Sequence, residues 1–337
     1  MLRGVGVEGC WRWGVLALGG RWVGRLGLDG RWERREEGGM DLLCLRRGFV
    51  RLCVGLLGAG SVGRVLGAGA KPEWAGTLTP LKVRTEYPVP TCDLHYDFGW
   101  NNVVRAGTAV IRVRRAREYW NASASAKSTG LAGVLWPYEC TMRSLIRRDT
   151  LRPRFLWHEE ADRREKCHYR VEFRPESVVT ETRVKPVKGG EVTRVHACGF
   201  EPIEDVLSAF LGVRGQTLAE GDAITRVVQP WDTPYLATFT VVGREVREVE
   251  GVKRGCIKLS AKIRKVNRET LALSAYRKMK TAYLWVTDDA ERLPVEFRAE
   301  AFVGFISCRL TRVVSLRGKD GEGEVPSEST MRVEIAR

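Results

Sequence analysis

Residues Thr281–Leu310, TAYLWVTDDAERLPVEFRAEAFVGFISCRL, constrain the fold more than any other stretch, because apolar and polar positions alternate through three successive runs. In Thr281–Thr287, Ala282, Leu284 and Val286 alternate with Tyr283 and Trp285. Asp288-Asp289 supplies a turn. In Val295–Ala301, Val295, Phe297, Ala299 and Ala301 alternate with Glu296, Arg298 and Glu300. After a bend near Gly304, Ile306, Cys308 and Leu310 alternate with Ser307, Arg309 and Thr311. A period of two puts one face on a core and the other in water, which is how antiparallel sheets read and βαβ units do not.

The same pattern recurs upstream. His95–Trp100 and a return strand through Ala109, Ile111 and Val113 flank the turn signal Asn101-Asn102. Asn121–Lys127, NASASAK, alternates with small residues, as a crowded or curved sheet requires. Tyr138–Arg147 and Arg154–Glu160 flank Asp149-Thr150, and His168–Phe173 and Ser177–Val184 flank Arg174-Pro175-Glu176. Phe239–Val249 and Cys256–Arg264 flank Glu250-Gly251. One segment has helical spacing instead: Ile203, Val206, Leu207, Phe210 and Leu211, with Pro202 at its start and Gly212 at its end. A shorter helical turn is expected around Leu131–Leu135. About twelve strands with one or two short helices give an all-β fold. The expected form is a strongly bent antiparallel sheet, closed or partly open as a barrel, in one domain over 77–315.

The ends read differently. The first 39 residues hold 11 glycines, 7 arginines and 4 tryptophans with no period, and read as non-native or disordered sequence upstream of the true start. Residues 40–70 have the layout of a secretory signal peptide. Arg46, Arg47 and Arg51 precede the apolar run Leu52–Val62, and Ala68-Gly69-Ala70 is a small-x-small cleavage site before Lys71. That run is too short for a membrane span, and no other stretch is apolar enough for one. The tail after Leu316 is polar, Gly-rich and expected to be flexible. Export and cleavage near Ala70 place the mature protein in the periplasm or medium.

Composition narrows the partners. Lys and Arg number 56 against 41 Asp and Glu, a formal charge of +15. Residues 71–337 hold 45 basic and 35 acidic side chains, so the body carries +10. Such an excess suits an anionic surface, while nothing specific points to nucleic acid. Nine cysteines stand at 10, 44, 53, 92, 140, 167, 198, 256 and 308, with no CxxC. Neither a zinc ribbon nor a redox dithiol is indicated, and pairing among the last six is open.

Several of these pieces together resemble the bacterial exported proteins grouped as domain-of-unknown-function family 3108. The matching segments are Leu94–Val113 (LHYDFGWNNVVRAGTAVIRV), Tyr138–Pro153 (YECTMRSLIRRDTLRP), Asp205–Arg214 (DVLSAFLGVR), Gly255–Leu259 (GCIKL) and, most specific, Leu284–Phe297 (LWVTDDAERLPVEF). Arg143 and Arg147-Arg148 make the second hairpin more basic than the usual pattern. The resemblance implies an exported β-rich domain related in shape to periplasmic lipid-carrier barrels. The family has no assigned activity, so it supplies no catalytic residue.

Chemistry-bearing motifs are few. Cys92-x-x-His95, Cys167-His168 and His196-x-Cys198 have half-site spacing for zinc, but neighbours along a strand point to opposite faces. His158-Glu159-Glu160 lacks the second histidine of a metalloprotease helix and reads as a solvated strand end. Asp288-Asp289 reads as turn residues capping amides and pairing with Arg292, rather than as an acid–base pair. There is no G-x-S-x-G, P-loop or Rossmann fingerprint. No catalytic residue, metal or cofactor is therefore expected. Aromatics remain: Tyr96, Phe98 and Trp100 on one strand face, Tyr283 and Trp285 on another, and Phe302 near a bend. They are the candidate lining of an apolar cavity.

The expected function is non-enzymatic binding or carriage of a lipid or other amphipathic cell-envelope component. The alternatives are docking on an envelope complex through the basic surface or a strand edge, and a hydrolase of unrecognised type. N-terminal sequencing of the exported protein should give a start at or near Lys71; a mature chain beginning at Met1 defeats the leader reading.

Overall fold

The computed structural model describes residues 25–26, 32–33, 71–84, 86, 88–276, 281–300 and 304–316. Most of 1–39, the leader and most of the tail lie outside them, as does Phe302. In the first 39 residues, Arg25–Leu26 pairs antiparallel with Trp32–Glu33.

The body is one antiparallel sheet of fifteen strands among the described residues. A meander runs through β1 (Cys92–Trp100), β2 (Val104–Ala116), β3 (Tyr119–Ser128), helix α1 (Gly130–Leu135), β4 (Tyr138–Arg147), β5 (Pro153–Asp162), β6 (Glu165–Phe173), β7 (Val178–Pro186) and β8 (Val192–Cys198). Helix α2 (Val206–Arg214) follows. Then come β9 (Ala223–Val228), β10 (Tyr235–Val249), β11 (Val252–Val266), the short β12 (Leu273–Ala275), β13 (Ala282–Thr287), β14 (Pro294–Glu300) and β15 (Phe305–Ser315). In space the order is β8-β7-β6-β5-β4-β3-β2-β1-β15-β14-β13-β11-β10-β9, with β12 beside β11. The pairing of β1 with β15 joins two meanders, and the sheet stays open between β8 and β9.

Turn chemistry fixes the registers. Asn101 and Asn102 both take positive φ between β1 and β2, as do Glu250 and Gly251 between β10 and β11, the conformation that two-residue hairpin turns demand. Bulges interrupt the ladders at Phe98/Gly99 against β2 and at Trp285/Val286 against β14.

Helix α2 differs from its expected bounds. It begins at Val206, not near Pro202, because Asp205 is the cap: its carboxylate accepts from Leu207 N at 2.6 Å and Ser208 N at 2.9 Å. Ile203 and Glu204 belong instead to an extended strap. There Glu204 N bonds to the Val227 carbonyl and Gln229 N to the Glu204 carbonyl, which runs the strap alongside β9. Gly212 lies inside the helix, where an added Cβ would come within 3.0 Å of Leu81, and the helix ends at Arg214. Seven of its nine residues are buried. Leu207 and Leu211 pack into one core half with Met142, Ile146 and Val171, and Ala209 and Val213 into the other with Phe239, Leu259 and Val286. By contrast α1 buries no residue, and Leu131, Val134 and Leu135 face solvent.

The domain is sealed at one end earlier than residue 77. Trp74, in a short 3-10 helix Glu73–Thr77, packs its ring 4.7 Å from that of Phe200, tilted by 50°, and donates its indole N–H to the Leu271 carbonyl. Among the described residues no helix is long and apolar enough to cross a membrane.

Close approach at Gly107 tests the β1–β2–β3 packing. A Cβ there would collide with the Phe98 ring and the Lys127 carbonyl oxygen. Gly107→Ala should lower unfolding free energy by about 2 kcal/mol in urea denaturation, whereas Gly190→Ala, with open space around it, should change it by less than about 0.5 kcal/mol.

Candidate functional site

Helix α2 does not fill the concave face of the sheet. A cavity of about 240 Å³ remains between them. Its walls come from both meanders: Tyr96 on β1, Ile111 on β2, Ala124 and Met142 on β3 and β4, Ala237 and Phe239 on β10, Leu284 and Val286 on β13, and Phe297 and Ile306 on β14 and β15. The helix contributes Val206, Ala209, Phe210, Val213 and Arg214. Alanines at 124, 209 and 237 stand where larger side chains would close the space. Apolar walls of this kind favour apolar guests.

Few polar groups reach it. Tyr96 donates its hydroxyl to the Pro294 carbonyl at 2.9 Å, and burial raises its pKa far above the ordinary phenol value. Glu296 borders it, but its carboxylate lies on the other face of β14, where Arg298 holds it at 2.8 Å. Arg214 is buried, and its guanidinium donates to the Glu291 carbonyl.

Beside the cavity, α2 is anchored by buried polar groups. Asp205 accepts a third hydrogen bond from the Ser144 hydroxyl of β4 at 2.6 Å; burial nevertheless raises its pKa against these bonds. Glu204 and Arg226 form an ion pair at 3.0 Å, both side chains under 5% exposed. Arg292 donates to the carbonyls of Arg214 and Gln216 at the helix C-terminus, where a cation complements the dipole.

Of the six aromatics named from sequence, Tyr96 lines this cavity. Phe98 is buried against Gly107 outside it, and Trp100 is half-buried near the β1 end. Tyr283 and Trp285 lie on the opposite face of β13, because Leu284 and Val286 take the inward positions. Trp285 is only 1% exposed even so, since side chains from neighbouring strands cover it. The Arg247 guanidinium sits 4.2 Å over its ring and Lys258 and Arg298 at 5.4 Å, while its N–H donates to Glu245 at 3.1 Å. Glu296, expected in water, is buried in the same layer.

Other motifs also move. His158 and Glu160 do not form a solvated strand end. Alternation along β5 turns them inward, where His158 stacks 5.3 Å from Tyr169 and Glu160 accepts from Tyr138 and Tyr169. Asp289 caps its turn by accepting from Glu291 N and Arg292 N, but Asp288 pairs with Arg244 and not with Arg292. Cys167 is buried while His168 faces outward onto Glu159. Among the described residues no three His, Cys, Asp or Glu side chains converge on a metal position. Cys92, Cys140, Cys167, Cys198, Cys256 and Cys308 are all free thiols; burial pushes Cys167 and Cys308 up to about 12, so they stay protonated.

The family described as "Protein of unknown function (DUF3108)" matches residues 91–311, from the residue before β1 to within β15. The chain belongs to the DUF3108 family. No curated protein matches it. Solved structures similar to this DUF3108 chain include a β-barrel-like protein of domain of unknown function DUF1849 from Brucella abortus, at 8% identity and TM-score 0.46, covering 68% of this chain and 100% of that one. A "putative exported protein with YmcC-like fold" from Bacteroides fragilis has 8% identity and TM-score 0.30, covering 68% and 98%. A "putative lipoprotein" from Parabacteroides distasonis has 7% and 0.28, again over 68% and 98%.

The anchoring of α2 over the cavity rests on Asp205. Asp205→Ala removes an N-cap and leaves the Ser144 hydroxyl buried without its acceptor; the expected loss is about 3 kcal/mol in chemical denaturation. A loss under about 1 kcal/mol would mean that the cap is not what holds the helix.

Proposed function

We propose that this protein is an exported, non-enzymatic carrier that binds an apolar or amphipathic cell-envelope component in the cavity beneath α2. The observation that carries the reading is the void itself, walled by apolar side chains from both meanders and one helix. Its volume of about 240 Å³ lies just under the range usual for small-molecule sites, roughly 300–1,000 Å³. It suits one acyl segment rather than a whole two-chain lipid. The leader-like residues 40–70 support export, and the +10 charge of the body favours an anionic membrane surface as the place of loading or delivery.

A second reading is docking through a strand edge. Strand β8 ends the sheet order, and Val187, Val192 and Val195 on and before it are 71%, 47% and 65% exposed. An extended segment of a partner protein could add a strand there.

Native mass spectrometry with lipid extraction, on protein recovered from the periplasm, separates the two. Carriage predicts a co-purifying ligand of one acyl chain. It also predicts that Ala209→Phe, which fills the void, empties the protein of ligand without lowering its melting temperature. Protein that is empty from the outset, and unaffected by Ala209→Phe in uptake of added amphiphile, overturns the carrier reading.

A further inference from the structure

Three arginines are buried around α2, and two are compensated. Arg226 has the Glu204 carboxylate, and Arg292 has the helix-end carbonyls of Arg214 and Gln216. Arg214 is 3% exposed, donates to the single carbonyl of Glu291, and leaves its Nε–H without a partner. No carboxylate stands within ion-pair distance of it among the described residues. Yet it is part of the cavity wall. The one acid bordering it, Glu296, turns its carboxylate to the opposite face of β14, onto Arg298, and the Tyr96 hydroxyl is taken by the Pro294 carbonyl. Burial pulls the Arg214 pKa down to about 10, so it remains a cation at neutral pH. A buried guanidinium with no carboxylate in contact is costly, and a paired anion is what lowers that cost most.

We propose that the cavity is a site for a single-chain anionic amphiphile whose carboxylate or phosphate headgroup pairs with Arg214 while its alkyl chain lies along Met142, Leu284 and Phe297. This rests on the carrier reading and adds the ligand class. The planar guanidinium presents parallel N–H donors that match either headgroup in bidentate fashion. A neutral lipid would fill the apolar part and leave the charge bare, and a two-chain lipid exceeds the volume.

The test is calorimetric titration of the delipidated mature protein with decanoate, decyl phosphate and decanol. At least one anion should bind at least about tenfold tighter than decanol, as a charge-assisted hydrogen bond predicts. Whichever anion binds tighter tells a free fatty acid from a phosphate-ester lipid as the source. In Arg214→Met the preference should vanish while decanol binding stays within about twofold. That variant should melt no lower than the wild type, because it removes a buried unpaired charge. Equal wild-type affinity for all three probes, or a preference surviving in Arg214→Met, overturns the proposal. If decanol alone binds, carriage stands and the anion anchor falls; if none binds, both fall.

Discussion

The pairing of the first strand with the last is the constraint on which the remaining structure depends. Nine residue pairs link β1 to β15, from Trp100 opposite Ile306 to Cys92 opposite Ser315. Thr91 and Leu316 extend the contact, each bonding to the other's carbonyl. Without it the chain would be two ribbons, each with one apolar face and no opposing layer to cover it. With it, inward residues of β13 and β14 line one cavity with those of β3 and β4. Because the partners lie some 200 residues apart in sequence, the contact must be closed against a large loop entropy and cannot be made by local pairing.

Given that single curved sheet, α2 has only one place to go. A helix with seven buried residues out of nine needs apolar surroundings on every side, and the concave face provides them. Leu207 and Leu211 serve one half of the core and Ala209 and Val213 the other, so the helix divides the interior as well as filling it. The cavity follows from side-chain size. Alanines at 124, 209 and 237 all line it, and a ten-residue strand with Ala122, Ala124 and Ala126 buried brings little volume to that wall. Close packing is the norm in protein interiors, so a void lined by three alanines marks a place where the sequence left space.

Much of the fold was legible because local alternation and tight turns carry the hairpins. Tyr138–Arg147 matches β4 residue for residue, and the three strands of 281–310 appear in order. What escaped depends on distant residues. Strand β8, VTRVHAC, buries only Cys198 as an edge strand and so shows no alternation. Strand β9, AITRVV, is buried almost throughout, and its Arg226 disguises that until Glu204 is seen beside it. Tyr283 and Trp285 looked like lining because they are aromatic. Their cover of Arg247, Lys258 and Arg298 comes from β10, β11 and β14, which no reading of β13 alone contains. The void itself had one trace in the sequence, the small residues of NASASAK. Arg214 showed only as the last residue of the segment DVLSAFLGVR, since its isolation among apolar walls exists only in three dimensions.

The polar interior explains how a sheet that never closes can still hold together. Between β8 and β9 there is no ladder, and an unpaired edge ordinarily invites other chains or exposes the core. Here the strap before α2 occupies the β9 side, with Glu204 giving both its N–H and its carbonyl to the β9 backbone line. Side chains span the remaining gap: Gln229 donates to Thr180 of β7 at 2.7 Å, and Trp231 packs against Cys167 and Tyr169 of β6. On the other side of the strap, Asp205 reaches Ser144 of β4. Glu204, Arg226, Gln229 and Thr180 thus bring buried polar side chains to the place where backbone pairing is missing. The β9 backbone is met by the Glu204 main chain and by Thr79, which bonds to both the N–H and the carbonyl of Thr225, and the same strap leads into the Asp205 cap that positions α2.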